Sequence, residues 1–268
     1  DFASEDAMPW HEYKAYITAI TMSTVQRIGN YTFAGLTNIN TFGLPSSGLT
    51  EIGDYAFKGM TSLVSLNVPA TVTKIGKGAF IGTSLTTISL SKVATIPEEL
   101  FMNVTTLTDL NITAKVTEIG ARAFMNTSIT KFSMDAATAT IGDEAFKGCT
   151  QLEAITTYAT KFGASAFEGC SMLTALSLSG QITEIGNAAF KGIAIEKISL
   201  PKTVTAIGDE AFADCANLSE ITLLGPAPTI GTGAFKGLDA YAYYPGDNAT
   251  WTAENMLNYG GTVTWTAN

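Results

Sequence analysis

The stretch Ile141–Cys149 reads IGDEAFKGC and sets two carboxylates and a thiol within seven residues. Nearly the same string returns 66 residues later as IGDEAFADC, from Ile207 to Cys215. A reactive centre is normally built once in a domain, whereas a repeat unit recurs at fixed spacing. The recurrence therefore favours a structural repeat over a catalytic site.

Self-comparison of the chain yields ten units, each marked by a Phe anchor. The anchors are Phe33, Phe57, Phe80, Phe101, Phe124, Phe146, Phe167, Phe190, Phe212 and Phe235. Each anchor follows by five residues the apolar residue that opens its unit: Ile28, Ile52, Ile75, Ile96, Ile119, Ile141, Phe162, Ile185, Ile207 and Ile230. Successive anchors lie 21 to 24 residues apart. A constant inner spacing with a variable outer spacing indicates a rigid turn joined by an adjustable loop.

A second half-motif with L-x-x-L-x-L spacing follows the anchors, as in Leu85-x-x-Ile88-x-Leu90. Its last two apolar positions alternate with polar ones, which is typical of a short strand with one buried face. One strand per coil of about 22 residues is the leucine-rich-repeat arrangement. The last copy is aligned as Leu238-x-x-Tyr241-x-Tyr243, which predicts that Ala242 points outward.

The position two residues after each anchor holds only Gly, Asn or Asp: Gly35, Gly59, Gly82, Asn103, Asn126, Gly148, Gly169, Gly192, Asp214 and Gly237. These residue types adopt the left-handed backbone region at low cost. We therefore predict that this position is the left-handed cap of a single helical turn.

Together these patterns predict an α/β-type repeat protein. The expected fold is a right-handed leucine-rich-repeat solenoid with one short strand per coil and irregular chain or a single helical turn opposite. Residues 1–16 are predicted as an N-terminal cap, 17–244 as about eleven solenoid coils, and 245–268 as a C-terminal cap. That last cap is expected to contain a short helix from Thr250 to Gly260 and a final strand over residues 262–266.

Composition narrows the function classes. The net charge of −9 argues against nucleic-acid binding and against docking on an anionic membrane, because both need clustered Lys and Arg. No apolar run approaches 18 residues, so no membrane insertion is expected from this segment. No Cys or His spacing resembles a zinc site, and we expect neither a metal nor another cofactor.

The repeat register supplies a structural interpretation of the acids and thiols. Asp54, Asp143 and Asp209 each follow a glycine and are predicted to accept backbone N–H groups at the start of a helical turn, with Glu144 and Glu210 inside that turn. Cys149, Cys170 and Cys215 each lie three residues after an anchor, at a core position that Leu, Met or Thr occupies elsewhere. Buried thiols suit this position. Cys149 and Cys170 lie in adjacent coils, so a disulfide between them stays open as an alternative.

Catalysis lacks the residues it needs. His11 is the only histidine and lies in the predicted N-terminal cap, where nothing places a nucleophile beside it. A paired-carboxylate hydrolase would need a cleft that a solenoid face does not offer. We therefore expect no enzymatic activity.

Recognition is the remaining class of function. The central outward column of the strands is small and mostly hydroxylic: Thr21, Asn67, Ser89, Asn111, Ser133, Thr156, Ser177, Ser199, Thr222 and Ala242. It holds none of the Trp, Tyr or Arg that dominate interface hot spots. The flanking positions carry the candidate ligand-facing residues Asp109, Lys131, Asp135, Tyr158, Lys197, Glu220 and Tyr244.

The chain resembles the BspA-like, or Treponema pallidum-type, leucine-rich repeats of bacterial surface proteins. The resemblance rests on the I-G-x-x-A-F-x-G repeat with its L-x-x-I-x-L-P continuation, seen from Ile52 to Pro69, and covers roughly residues 17–244. The segment Met8–Lys14 is also similar to the M-P-W-x-x-Y-R/K stretch of many members, which suggests that the chain is part of a longer precursor.

The resemblance implies a secreted or surface-attached location and non-catalytic binding or adhesion to host-matrix or cell-surface proteins. A carbohydrate-binding accessory module is the alternative, for which stacking aromatic residues such as Tyr158 and Tyr244 would be needed.

Overall fold

The computed structural model describes residues 1–112, 115–134, 140–178 and 180–268. The chain divides into two compact units, Asp1–Ile129 and Thr130–Asn268. Each unit is a leucine-rich-repeat solenoid whose described strands pair in parallel with strands of neighbouring coils. Two 3-10 turns, Glu5–Ala7 and His11–Tyr13, are the helical elements of the described residues.

Two classes of strand build the coils. Opening strands are two-residue strands that end on the apolar residue opening each repeat: β2 (Arg27–Ile28), β4 (Glu51–Ile52), β5 (Lys74–Ile75), β7 (Thr95–Ile96), β9 (Glu118–Ile119), β11 (Thr140–Ile141), β13 (Lys161–Phe162), β15 (Glu184–Ile185), β17 (Ala206–Ile207) and β19 (Thr229–Ile230). Face strands carry the second half-motif or extend its series: β1 (Ile20–Thr21), β3 (Phe42–Gly43), β6 (Thr87–Leu90), β8 (Asp109–Ile112), β10 (Lys131–Met134), β12 (Ala154–Thr157), β14 (Ala175–Leu178), β16 (Lys197–Leu200), β18 (Glu220–Leu223), β20 (Asp239–Tyr244) and β21 (Thr262–Ala267).

In residues 1–129 the opening strands pair as β2-β4-β5 and β7-β9, and the face strands pair as β1-β3 and β6-β8. Residues 130–268 pair opening strands in the order β11-β13-β15-β17-β19. Their face strands form the sheets β10-β12-β14 and β16-β18-β20-β21. The sequence predicts one strand per coil. The opening strands add a second, which two residues are too short to reveal by periodicity.

The five residues centred on each anchor form what we call the Phe turn. All ten positions two residues after the anchor have positive φ, from 59° at Asn126 to 78° at Gly237, which confirms the left-handed prediction. The positions two residues before the anchor also have positive φ: Tyr31, Tyr55, Gly78, Glu99, Arg122, Glu144, Ser165, Ala188, Glu210 and Gly233. A left-handed residue at both ends is incompatible with a helical turn, so the predicted helix is replaced by a pair of tight turns.

This alternation of φ directs the backbone of the Phe turn at the neighbouring coil. The N–H groups of Glu144, Phe146 and Gly148 donate to carbonyl oxygens of the next coil at 2.8, 2.8 and 2.9 Å. Three such bonds also leave the coils anchored by Phe33, Phe57, Phe80, Phe101, Phe167, Phe190 and Phe212. The Phe turns are therefore held to one another by backbone hydrogen bonds although they contain no strand.

The anchors stack inside this frame. Ring centroids lie 5.5 to 5.7 Å apart from Phe33 to Phe124, and 5.1 to 6.2 Å apart from Phe146 to Phe235. These separations fall within the range of favourable offset stacking. Trp10 lies over Phe33 at 6.5 Å, and Trp265 lies beside Phe235 at 6.5 Å.

The C-terminal segment differs from the prediction in one respect. The helix expected from Thr250 to Gly260 is not formed; the Thr252 carbonyl accepts from Asn255 and Met256 in an isolated turn. The Trp251 indole N–H donates to the Gly225 carbonyl at 3.0 Å and fixes this segment on the coil below. The final strand is present as β21, and the division into two caps and a solenoid body stays a prediction.

Ala188 and Ala189 offer a matched test of the second left-handed position. Ala188 has φ of 52°, which costs an L-residue roughly 1–2 kcal/mol. Ala189 is fully buried and lacks positive φ. We expect Ala188→Gly to be neutral or to stabilise by up to about 1 kcal/mol, because released strain offsets the added chain entropy.

In the same denaturant titration, Ala189→Gly should destabilise by about 1–2 kcal/mol through lost burial and added chain entropy. Equal destabilisation by both substitutions would show that the left-handed conformation at Ala188 carries no strain.

Candidate functional site

The paired acids of the repeat are engaged in holding coils together. Asp143 Oδ1 accepts from the Ala164 N–H at 2.7 Å, and Asp209 Oδ1 accepts from the Thr232 N–H at 2.7 Å. The carboxylates were predicted to accept N–H groups of their own turn. They instead accept from the next coil, because the turn that follows them is not helical and its N–H groups point along the stack.

A close approach between coils makes these bonds possible. A Cβ at Gly163 would lie 2.4 Å from Asp143 Oδ1 and 2.5 Å from the Asp143 backbone nitrogen. The glycine is therefore required by the contact, and it brings the next N–H within reach of the carboxylate. Asn187 plays the same part for the Asp209 N–H at 2.9 Å, so an amide serves as well as a carboxylate.

The two glutamates of the repeated string are also engaged. Glu144 pairs with Lys147 at 3.4 Å, and Glu210 pairs with Lys191 at 2.5 Å. Both occupy left-handed positions before the anchor and not the first turn of a helix.

A shallow groove of about 510 Å³ runs along the opening strands of residues 130–268, floored by glycine backbone and lined by Asp143, Glu184, Asn187 and Asp209. Asp143 and Asp209 are three coils apart in the order β11-β13-β15-β17. At roughly 4.8 Å per coil this is about 14 Å, beyond the separation of any glycosidase pair. The groove therefore lacks a catalytic carboxylate pair built from the repeated aspartates.

The three cysteines are fully buried thiols. Cys170 Sγ donates to the Phe146 carbonyl at 3.1 Å, and Cys215 Sγ donates to the Phe190 carbonyl at 3.0 Å. Burial raises the pKa of Cys170 well above its usual range and that of Cys215 to about 11. A neutral thiol shielded from solvent is a poor nucleophile. The alternative of a disulfide between Cys149 and Cys170 is not realised in the structure.

His11 lies in the second 3-10 turn with Nε2 3.4 Å from Asp6 Oδ1. Across the described ranges, no group of three or more His, Cys, Asp and Glu side chains is arranged to hold a metal ion. No helix in that part of the chain has the length and hydropathy to cross a membrane.

The predicted ligand-facing residues occupy different places on the face strands. Asp109 and Lys131 are exposed at the first residues of β8 and β10, and Tyr158 is exposed just after β12. Among the candidates that the structure describes, Lys197 and Glu220 form an ion pair, with Nζ 2.7 Å from Oε2 on neighbouring strands. The hydrogen bond to Glu220 raises the pKa of Lys197. Asp135 lies outside the described residues.

Tyr244 is placed differently from the other candidates. Its ring lies 5.3 Å from Trp251 and 6.4 Å from Trp265, in an aromatic cluster beside the end of β20. The ring is half-buried and packs with the C-terminal segment.

The alignment of the last coil is wrong by one residue. The register pairs Ile221 with Ala242 and Thr222 with Tyr243, so Ala242 is buried and Tyr243 continues the outward column. Tyr241 pairs with Glu220 and is 57% exposed. A slip of one residue exchanges the two faces of a strand. The alternation of Ala240 and Ala242 with the tyrosines was the signal for the correct register.

The corrected register defines what we call the tyrosine face, the outward side of β16, β18, β20 and β21. One row contains Lys197, Glu220, Tyr241 and Thr264, and the next contains Ser199, Thr222, Tyr243 and Thr266. Asp239 precedes Tyr241 on the same side of β20 and is exposed. This is the part of the sheet where hot-spot side chains interrupt the hydroxyl column.

Comparison with known proteins fits this architecture. Residues 26–153 and 141–244 match the BspA type leucine rich repeat region, in six copies. The chain belongs to the BspA-type leucine-rich repeat family. This confirms the resemblance drawn from the repeated string. No curated protein matches the sequence.

Three solved structures are similar to this BspA-type chain. A leucine-rich repeat protein from Bacteroides ovatus shares 20% identity over 94% of this chain and 84% of its own, with a TM-score of 0.47. A leucine rich cell surface protein from Faecalibacterium prausnitzii shares 21% over 92% and 82%, with a TM-score of 0.43. The pneumococcal vaccine antigen PcpA shares 17% over 93% and 74%, with a TM-score of 0.47.

The bond from Asp143 to the next coil is testable by substitution. We expect Asp143→Ala to lower the free energy of unfolding by about 1 kcal/mol, because the Ala164 N–H loses its acceptor. Asp143→Asn should change it by less than about 0.5 kcal/mol, since Asn187 makes the same bond. Urea denaturation measures both; an Asn variant as unstable as the Ala variant would contradict the acceptor role.

The buried Cys215 thiol makes stability depend on pH. Its pKa is about 11 in the fold and about 8.5 when unfolded, so the unfolded state ionises first. The thiol's contribution is complete below the unfolded pKa, and stability falls as pH rises from about 9 to about 11. Thr83 and Thr127 occupy the equivalent position in other coils, which makes Cys215→Thr the matched variant.

Relative to Cys215→Thr, the parent chain should lose about 2 kcal/mol of stability across that pH window. Urea titrations at several pH values measure the difference. Parallel pH dependence of the two proteins would show that the Cys215 thiol is not linked to folding.

Proposed function

We propose that this chain is a non-catalytic binding or adhesion module, secreted or displayed at the bacterial cell surface, that recognises a host-matrix or neighbouring-cell protein through its face strands. The observation that carries the proposal is the tyrosine face. Family membership supports it, because leucine-rich-repeat solenoids are typically binding scaffolds that present an extended surface.

The division of labour within a coil supports the same function. The repeated acids and thiols make side-chain hydrogen bonds between coils, whereas among the described residues the side chains of Tyr241 and Tyr243 make none. Tyr241 is exposed and Tyr243 is half-buried. Tyrosine supplies large contact area with few rotatable bonds, which suits recognition more than packing. Asp109, Lys131, Tyr158, Lys197 and Glu220 are proposed as further contact residues.

A carbohydrate ligand is the second candidate, and the tyrosine face is the observation in its favour. The exposed ring of Tyr241 and the half-buried ring of Tyr243, among Ser199, Thr222, Thr264 and Thr266, offer stacking surface and hydroxyl partners to a sugar. Of the two aromatic residues predicted for that role, Tyr158 is exposed and Tyr244 is half-buried against two tryptophans.

Binding can be measured with immobilised extracellular-matrix proteins and a glycan array, using the 268-residue chain in solution. We expect saturable binding to at least one matrix protein, weakened about tenfold by the double substitution Tyr241→Ala and Tyr243→Ala. Val64→Ala, which removes an exposed apolar side chain in residues 1–129, serves as the control variant.

Binding to no matrix protein, together with glycan binding that the tyrosine substitutions abolish, would replace the protein ligand by the carbohydrate. Protease shaving of intact producing cells tests location, and a protein that resists shaving in intact cells but not in lysed cells would contradict surface display.

A further inference from the structure

The tyrosine face combines the exposed ring of Tyr241 and the half-buried ring of Tyr243 with carboxylates in one compact area. Tyr241 lies directly beside Glu220 on the adjacent strand, about 5 Å away at the backbone. Asp239 lies two residues before it on the same side of β20, about 7 Å away. Tyr241 therefore has two acidic neighbours on the outward side of the sheet, Glu220 on β18 and Asp239 on its own strand.

The tyrosine face carries more acidic than basic side chains. Lys197 Nζ lies 2.7 Å from Glu220 Oε2. The Lys197 side chain is 66% exposed and the Glu220 side chain 36%. Asp239 takes part in no salt bridge among the described residues. With one lysine against two carboxylates, the tyrosine face has a net negative charge.

The surroundings add to that charge. Residues 130–268 hold 7 Lys and no Arg against 14 Asp and Glu, whereas residues 1–129 hold 8 Lys and Arg against 10 Asp and Glu. The negative field of the second unit favours a positively charged partner and increases its rate of encounter.

Resting on the proposed function, we infer that the partner of the tyrosine face is a basic protein segment, whose Arg or Lys side chains lie over the Tyr241 and Tyr243 rings while Asp239 and Glu220 neutralise them. A cation over an aromatic face is attracted by the ring quadrupole, and a neighbouring carboxylate adds a charge-assisted hydrogen bond. A neutral sugar would use the rings but not the carboxylates.

Lys197 is then a competitor for the same site. It occupies Glu220, which a basic partner must share or displace. Removing the lysine charge should free Glu220 and strengthen binding. The Lys161–Glu184 pair is the matched control, because it is also an exposed cross-strand pair at 2.9 Å in the same unit but lies on the opening strands.

The experiment uses the 268-residue chain and three labelled probes: a twelve-residue peptide of alternating Arg and Ser, a peptide of alternating Glu and Ser, and a neutral β-glucan oligosaccharide. Fluorescence polarisation gives the affinities at low salt and at 0.5 M salt. We expect the Arg peptide alone to bind, with a loss of affinity at high salt.

Three substitutions then locate the site. Tyr241→Ala should weaken the Arg peptide about fivefold and Lys197→Gln should strengthen it about threefold, while Lys161→Gln changes its affinity less than about 1.5-fold. Thermal unfolding confirms that each variant is folded. Equal gains from Lys197→Gln and Lys161→Gln would reduce the effect to net charge and overturn the inference.

The other outcomes also decide. Affinity for the Arg peptide that Tyr241→Ala leaves unchanged, or tyrosine-dependent binding of the glucan in its place, overturns the basic partner. Binding to a matrix protein that is insensitive to Tyr241→Ala would overturn this inference while the proposed binding function stands. If neither peptide and no matrix protein binds, both the basic partner and the proposed binding function are overturned.

Discussion

The reversal of φ on either side of each phenylalanine is the constraint on which the coils depend. A left-handed residue two positions before the anchor and another two positions after it turn three alternate N–H groups toward the same neighbouring coil. Those bonds set the separation at which the phenylalanine rings stack, 5.1 to 6.2 Å. The inner spacing of the repeat is constant because one inserted residue would invert the direction of every N–H after it.

This constraint explains why the acids and thiols of the repeated string bond to neighbouring coils and are not arranged as a reactive site. The close approach of coils leaves Gly163 no room for a Cβ and commits Asp143 to the N–H beyond it. The same stacking buries the thiols of Cys170 and Cys215 against carbonyl oxygens. The residues that look reactive in the sequence are thus the residues through which neighbouring coils contact each other. Residues that differ from coil to coil lie at the outward positions of the face strands.

The sequence was sufficient for the repeat unit, its spacing and one of its two left-handed positions, and insufficient for the contacts between coils and the register of the last coil. Ten anchors and the Gly, Asn or Asp after them predicted the solenoid and its left-handed positions. The second left-handed position was missed because residue types such as Tyr31, Glu99 and Arg122 do not indicate positive φ. Gly78 and Gly233 occupy the same position of the repeat in two other coils. The direction of the aspartate bonds could not be derived either, since it depends on how coils meet and not on the order of residues within one coil.

The tyrosine face was missed for a related physical reason. Leu238 satisfies the first apolar position of the motif, but β20 continues for six residues and reaches the buried side through Ala240 and Ala242. Small residues on the inside permit large residues on the outside of the same strand without a change in backbone position. Face strands stack about 5 Å apart, so the side chains beside a tyrosine in its row limit how much of its ring stays accessible.

Tyr241 lies between Glu220 and Thr264 and is 57% exposed, and Tyr243 lies between Thr222 and Thr266 and is half-buried. In the coils before β20, Ser, Thr and Asn fill the central column and no ring interrupts it. A uniform column gives a partner no means of choosing a register along the solenoid, because each coil looks like the next. The break in that column at β20 supplies a unique position, and specificity for one partner has to arise at such a break.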